Sequence, residues 1–161
     1  MSPINSEQIS RAFISKRRKE VSRLLIPNFT PRYRWWECDI FELTKSGYFI
    51  EYEIKISMTD FATDRKKERA ITWYKRWPWI AKEYERKHDL LSKGHRDGPI
   101  YFTFITPRFS SPSFCIPDFA GHIIAERING AIVFQLAKRA PRLGGRKIGR
   151  PINRLISKAI A

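Results

Sequence analysis

The sequence predicts an α/β fold, and three observations carry the prediction. An amphipathic helical pattern opens the chain, two short alternating segments joined by a glycine-containing turn follow it, and helical and strand-like patterns then alternate to residue 137. From Ser6 to about Leu25 the spacing predicts a helix. Ser6 is the expected N-cap with Glu7 in the first turn, and Ile9, Ala12, Phe13, Val21, Leu24 and Leu25 form an apolar stripe that Lys16-Arg17-Arg18-Lys19 interrupts. Pro27 and Pro31 are expected to end that helix and bring the chain round.

Trp35–Leu43 and Tyr48–Ile56 read as strands, joined at Lys45-Ser46-Gly47 with glycine where a positive φ is needed. Closing the loop with Thr44 against Tyr48 sets Asp39 opposite Glu53 and Glu37 opposite Lys55. Asp39, Glu51, Glu53 and Lys55 then share one face. Thr59 to about Lys67 predicts a second helix, capped by Thr59, with Asp60 in its first turn and a continuation towards Trp73 before Pro78. Ile80–Lys93 is helix-like and densely charged, which suggests a solvated face. Ile100–Thr106, between Pro99 and Pro107, reads as a buried strand. Gly121–Ile128 and Ala131–Ala137 form a hairpin about Asn129-Gly130.

Composition narrows the partners. The chain has 161 residues, enough for one domain with its own core, and its 42% hydrophobic content argues against disorder. There are 31 Lys and Arg against 16 Asp and Glu, a net charge of +15 that favours nucleic acid or another polyanion. From Lys138 onward there are eight basic residues and no acid, so a basic C-terminal arm from residue 144 is expected to follow a domain of residues 1–143. No apolar run reaches the roughly 18 residues of a membrane span. The N-terminus also lacks the apolar core of a secretory signal, so the cytoplasm is the expected compartment. Cys38 and Cys115 are expected to be buried reduced thiols. His88 and His95 have no ligand spacing around them, and Trp73, Tyr74, Trp77 and Trp79 fit packing better than base stacking.

The chemistry concentrates on the second strand. Glu51, Glu53 and Lys55 lie among Phe49, Ile50, Tyr52, Ile54 and Ile56, too apolar a setting for a solvated salt bridge. Phosphodiester hydrolysis needs carboxylates to hold Mg²⁺ and a lysine beside the attacking water. Asp39, Glu53 and the Ile54 carbonyl meet that minimum, with Lys55 next to them. Glu51 reads equally as a supporting acid or a surface charge, and Asp60 as a helix N-terminal acid or a contact to the site.

Asp39 followed by Glu53-Ile54-Lys55 resembles the PD-(D/E)xK nuclease superfamily, with Cys38 in place of the proline of that pattern. The run Glu53-Ile54-Lys55-Ile56-Ser57-Met58-Thr59-Asp60-Phe61-Ala62-Thr63-Asp64-Arg65-Lys66 is similar to the group containing the DNA-repair proteins called MmcB and related phage proteins. Tyr101–Pro107 and Ile116–Ile123 look like that group's later strands, except that His122 stands where leucine is usual. The resemblance covers about residues 35–143. It implies a restriction-endonuclease-like core, in which a central mixed sheet has one helix before it and another after the Glu-x-Lys strand.

It implies also Mg²⁺-dependent cleavage of DNA, with Mn²⁺ as a substitute ion and RNA an open alternative substrate. Asp39 and Glu53 would be metal ligands and Lys55 the catalytic lysine, supported by Ser57, Asp60, Asp64 and a first-helix glutamate, for which Glu20 is the candidate. Arg17, Arg18, Lys66, Lys67, Arg139, Arg146, Lys147 and Arg150 are the expected phosphate contacts. The alternative is a nuclease-fold module that binds nucleic acid without cutting it, with binding that depends on salt and not on metal.

Overall fold

The structure, a computed structural model, describes residues 3–20, 24–31, 35–71, 83–111 and 114–149. Helix α1 (Ser6–Glu20) leads into β1 (Leu24–Phe29), β2 (Cys38–Leu43) and β3 (Phe49–Ile54). Helix α2 (Met58–Asp64), strands β4 (Glu68–Ile71) and β5 (Glu83–Arg86), and helix α3 (Lys87–Ser92) come next. Strands β6 (Tyr101–Thr106), β7 (Gly121–Ile128) and β8 (Ala131–Lys138) complete the order.

Six strands form one mixed sheet in the order β1-β2-β3-β6-β7-β8, while β4 and β5 pair separately. The first three strands are antiparallel neighbours, β6 and β7 run parallel to β3, and β8 returns antiparallel. Helices cover both faces. Ile9 and Phe13 of α1 pack with Ile40, Ile50, Tyr52, Ile54 and Ile105 on one side. Phe61 of α2 and Leu90 and Leu91 of α3 pack with Phe41, Phe49, Phe102 and Phe104 on the other. All six residues of β3 are therefore buried, as befits a central strand covered twice.

Local chemistry accounts for most of the element boundaries. Asn5, not Ser6, caps α1: Gln8 N–H donates to Asn5 Oδ1 at 2.8 Å, and Asn5 N–H donates to Gln8 Oε1 at 3.2 Å. This reciprocal pair is a capping box. The helix stops at Glu20, and Leu24 and Leu25 belong to β1, whose pairing runs through Pro27. Proline is tolerated there because β1 is an edge strand and needs no donor on its open side. Ser57, not Thr59, caps α2 by accepting from Asp60 N–H at 3.1 Å, and Asp60 Oδ2 accepts from Ile56 N–H at 3.3 Å. Helix α2 ends at Asp64 and the chain enters β4, so the expected continuation towards Trp73 does not occur.

Residues 72–82, including Trp73, Tyr74, Trp77 and Trp79, lie outside the described residues. Within the expected helix over 80–93, the described part from Glu83 to Ser92 is a strand followed by a short helix. The expected turns are present. Gly47 has φ 86°, and Asn129 and Gly130 have φ 50° and 81°, the two positive values a type I′ turn requires. Of the two cysteines, Cys38 is buried and Cys115 is exposed.

The basic arm does not begin at residue 144. Leu143 N–H bonds to Ile100 O, Arg146 N–H to Arg96 O and Ile148 N–H to Gly47 O, and Ile148 is buried in the core. Gly144 lies against Gly94 and Gly145 against Gly98 and Pro99, so close that a Cβ at either would collide with backbone. Through Gly149 the segment is part of the domain.

Candidate functional site

The register of β2 on β3 brings the acidic residues together. Ile40 pairs with Tyr52 and Phe41 with Glu51, as the loop predicts. One step further the backbone ladder ends. Asp39 Oδ2 instead accepts the Ile54 N–H at 2.7 Å, so a carboxylate occupies the place of a strand carbonyl where β2 and β3 part. A cleft of about 520 Å³ opens there, lined by Asp39, Ile54, Lys55 and Asp60 together with Ser6 and Arg11 of α1.

Alternation along β3 places Glu51 and Glu53 on the face covered by α2 and α3. Both are fully buried, and neither could remain charged there without partners. Trp35 Nε1 donates to Glu51 Oε2 at 2.7 Å. Lys87 Nζ pairs with Glu51 Oε1 and lies 2.6 Å from Glu53 Oε1. The other oxygen of Glu53 receives two lysines, Lys55 at 2.9 Å and Lys67 at 3.1 Å. Both of these lysines also reach Asp64 Oδ1, each at 2.9 Å. His88 Nε2 stands 2.7 Å from Asp64 Oδ2.

These contacts set the proton affinities. Burial would raise Glu53, but Lys87, Lys55 and Lys67 outweigh it and bring the carboxyl down to about 2. Asp64 follows the same pattern: burial is overcome by the His88 hydrogen bond and the charges of Lys55 and Lys67, and it falls well below the usual carboxylate range. Burial opposes charge on Lys55 and Lys87, yet their acidic neighbours hold both ammonium groups above the ordinary lysine value. Glu51 has less compensation, and burial lifts it to about 7 despite Lys87. Asp39 is lifted to about 6 by burial and by the charge of Glu53, with the Ile54 N–H opposing. Among the described residues no lysine or arginine ion-pairs with Asp39.

The expected site residues divide into three groups. Glu51, Glu53, Lys55 and Asp64 meet in one network, with Asp39 at its edge. Glu51 is thus a buried member of the site and not a surface charge. Ser57 and Asp60 serve α2 as its cap, and Asp60 also lines the cleft. The Glu20 side chain and Arg150 lie outside the described residues.

The expected phosphate contacts scatter. Lys67 belongs to the buried network, because two carboxylates draw it in. Arg17 is taken by the buried carboxylate of Glu42, with its Nε 3.0 Å from Oε2, and that oxygen also accepts from Tyr52 Oη at 2.8 Å. Arg18 bonds to Leu25 O, Arg146 pairs with Asp97 at 2.8 Å, and Lys147 sits over the Tyr48 ring. Lys66 and Arg139 are exposed.

Pattern reading misses Lys87 and His88, placing one on a solvated helix and giving the other no role. The charge balance of β3 is the signal that points to the lysine. Two carboxylates on one covered face demand more positive charge than Lys55 supplies.

No family model and no curated protein matches the chain. Among solved structures it is similar to a protein of unknown function from Silicibacter pomeroyi, at 15% identity and a TM-score of 0.57, over 98% of this chain and 83% of that one. A likeness at that identity is one of fold: an α/β protein with a six-stranded mixed sheet flanked by helices. No helix among the described residues is long and apolar enough to cross a membrane.

Proposed function

We propose that the chain is a metal-dependent nuclease with a restriction-endonuclease-like core, hydrolysing phosphodiester bonds of DNA in phage or repair biology. The observation that carries this reading is Asp39 bonded to the Ile54 N–H where β2 and β3 part, beside an open cleft that Lys55 also lines while its ammonium group pairs with Glu53. A helix before the sheet, another directly after the Glu-x-Lys strand, and a net charge of +15 are consistent with it.

The donors fit a hard cation. Asp39, Glu53 and the Ile54 carbonyl present oxygen only, and Mg²⁺ is content with few protein ligands because it keeps several waters. Among the described residues no three acidic, His or Cys side chains form a ready cage. An ammonium group, Lys67, already stands as a positive ion between Glu53 and Asp64. When bound, the metal would supply hydroxide at neutral pH and neutralise charge on the phosphorus centre. Lys55, held protonated by Glu53 and Asp64, suits orienting the water or steadying phosphate charge and not removing a proton.

One observation favours a second reading. Both oxygens of Glu53 are matched by ammonium groups, a site balanced without metal, as a binding module that has lost the chemistry would have.

Titrating Mn²⁺ into wild type and Asp39→Asn, alongside Mg²⁺- and Mn²⁺-dependent nicking of plasmid DNA by wild type and Lys55→Met, separates the two. The nuclease reading expects saturable Mn²⁺ binding weakened in Asp39→Asn, and nicking abolished in Lys55→Met with DNA binding kept. DNA binding with neither metal uptake nor nicking would leave the module.

A further inference from the structure

Two lysines share one pair of carboxylate oxygens. Lys55 and Lys67 both bridge Glu53 Oε2 and Asp64 Oδ1, at 2.9 to 3.1 Å throughout, so their like charges are forced together. They are not equivalent. The Lys55 side chain is 5% exposed and that of Lys87 0%, whereas that of Lys67 is 35% exposed.

The backbone of Lys67 is pinned on both sides. Its N–H donates to Asp64 O and its carbonyl accepts from Lys87 N–H, each at 3.1 Å. Only its four-carbon stem would have to move to release the ammonium group into water, where a lysine is strongly hydrated.

We propose, resting on the metal-dependent reading above, that Lys67 is an exchangeable counter-cation. Its ammonium group holds the place between Glu53 and Asp64 in the metal-free protein and leaves it when a divalent ion enters. The charge balance agrees. With Lys67 swung out, Glu53 and Asp64 keep Lys55, Lys87 and the His88 contact, and the entering ion replaces the positive charge withdrawn. Lys55 and Lys87 are buried and stay in place. The device makes metal affinity a competition between an ion and a side chain tethered next to it.

The prediction concerns binding and not turnover. Lys67→Met should take up Mn²⁺ roughly tenfold more tightly than wild type, because one competing positive charge within contact distance is gone. Electron paramagnetic resonance of free Mn²⁺ measures this directly. Unchanged or weaker affinity in a folded Lys67→Met protein would overturn the proposal while leaving the metal reading intact, provided wild type still binds. Absence of Mn²⁺ uptake by both proteins would remove the metal reading and this proposal together.

A second measurement needs no variant. In wild type, labelling of Lys67 by an amine-reactive reagent, read by peptide mass spectrometry, should rise severalfold on adding Mg²⁺ while Lys55 and Lys87 stay protected. Lys67 labelling that stays the same or falls would reject the exchange.

Discussion

Glu53 shows how one side chain can carry opposing demands. It is buried on the sheet face yet held ionised by three ammonium groups, with its carboxyl brought from an ordinary 4.5 down to about 2. A carboxyl with a lower pKa folded than unfolded binds fewer protons in the native state. Its contribution, about 3 kcal/mol, is therefore complete above the unfolded value near 4.5 and fades as pH falls towards 2. Asp64 acts in the same direction. Glu51, raised to about 7, has the opposite sign: its native form keeps a proton longer than the unfolded one, so stability is given up as pH rises from 4.5 through 7. Urea denaturation followed across pH should show wild type losing stability steeply between pH 4.5 and 2. Glu53→Gln should be less stable near neutrality and flatter over that interval. Parallel acid slopes for the two proteins would contradict the assignment of Glu53 as the ionised centre of the network.

Among the helices and strands, the decisive features are short contacts that propensity does not report. Sequence reading places a helix end at Pro27, but the residue sits in an edge strand, where its missing N–H is harmless. The caps shift by one or two residues, from Ser6 to Asn5 and from Thr59 to Ser57, because the side chain that bonds back to the helix decides the boundary. The segment around Gly144-Gly145 is held by backbone bonds to Arg96, Ile100 and Gly47, and its approach to Gly94 and Gly98 leaves no room for a side chain. Gly144→Ala should cost about 2 kcal/mol or more in chemical denaturation, since backbone must move to admit the methyl group. A cost within experimental error would mean that this segment is not docked as described.

For the molecule as a whole, charge and fold answer different questions. The +15 net charge bears on partners and association and not on which strands pair. Several of the basic residues expected to touch phosphate are already paired with acids of the chain: Arg17 with Glu42, Lys67 with Glu53 and Asp64, and Arg146 with Asp97. Those with no such partner among the described residues, Lys66 and Arg139 included, and the basic residues after Gly149 should therefore dominate any nucleic-acid binding. Shortening the chain after Gly149 removes Arg150, Arg154 and Lys158. If these residues neutralise phosphates, the slope of log affinity for DNA against log salt should become shallower by up to roughly 0.9 for each phosphate that the shortened chain no longer engages on duplex DNA. A slope unchanged by the truncation would assign the binding to the domain alone.

Neighbouring residues suffice to specify the hairpins, the register of β2 on β3 and the presence of Glu53 and Lys55 on a buried strand. All of these follow from alternation and turn chemistry over short stretches, and the excess of positive charge is plain from composition. Which cations meet the buried acids depends instead on the long-range fold. Lys67 and Lys87 come to Glu53 from 14 and 34 residues away, and Lys87 stands in a run whose composition suggests solvent. A carboxylate covered on both sides of a sheet must be neutralised by whatever the topology brings over it. Local patterns record the demand for positive charge and not its source.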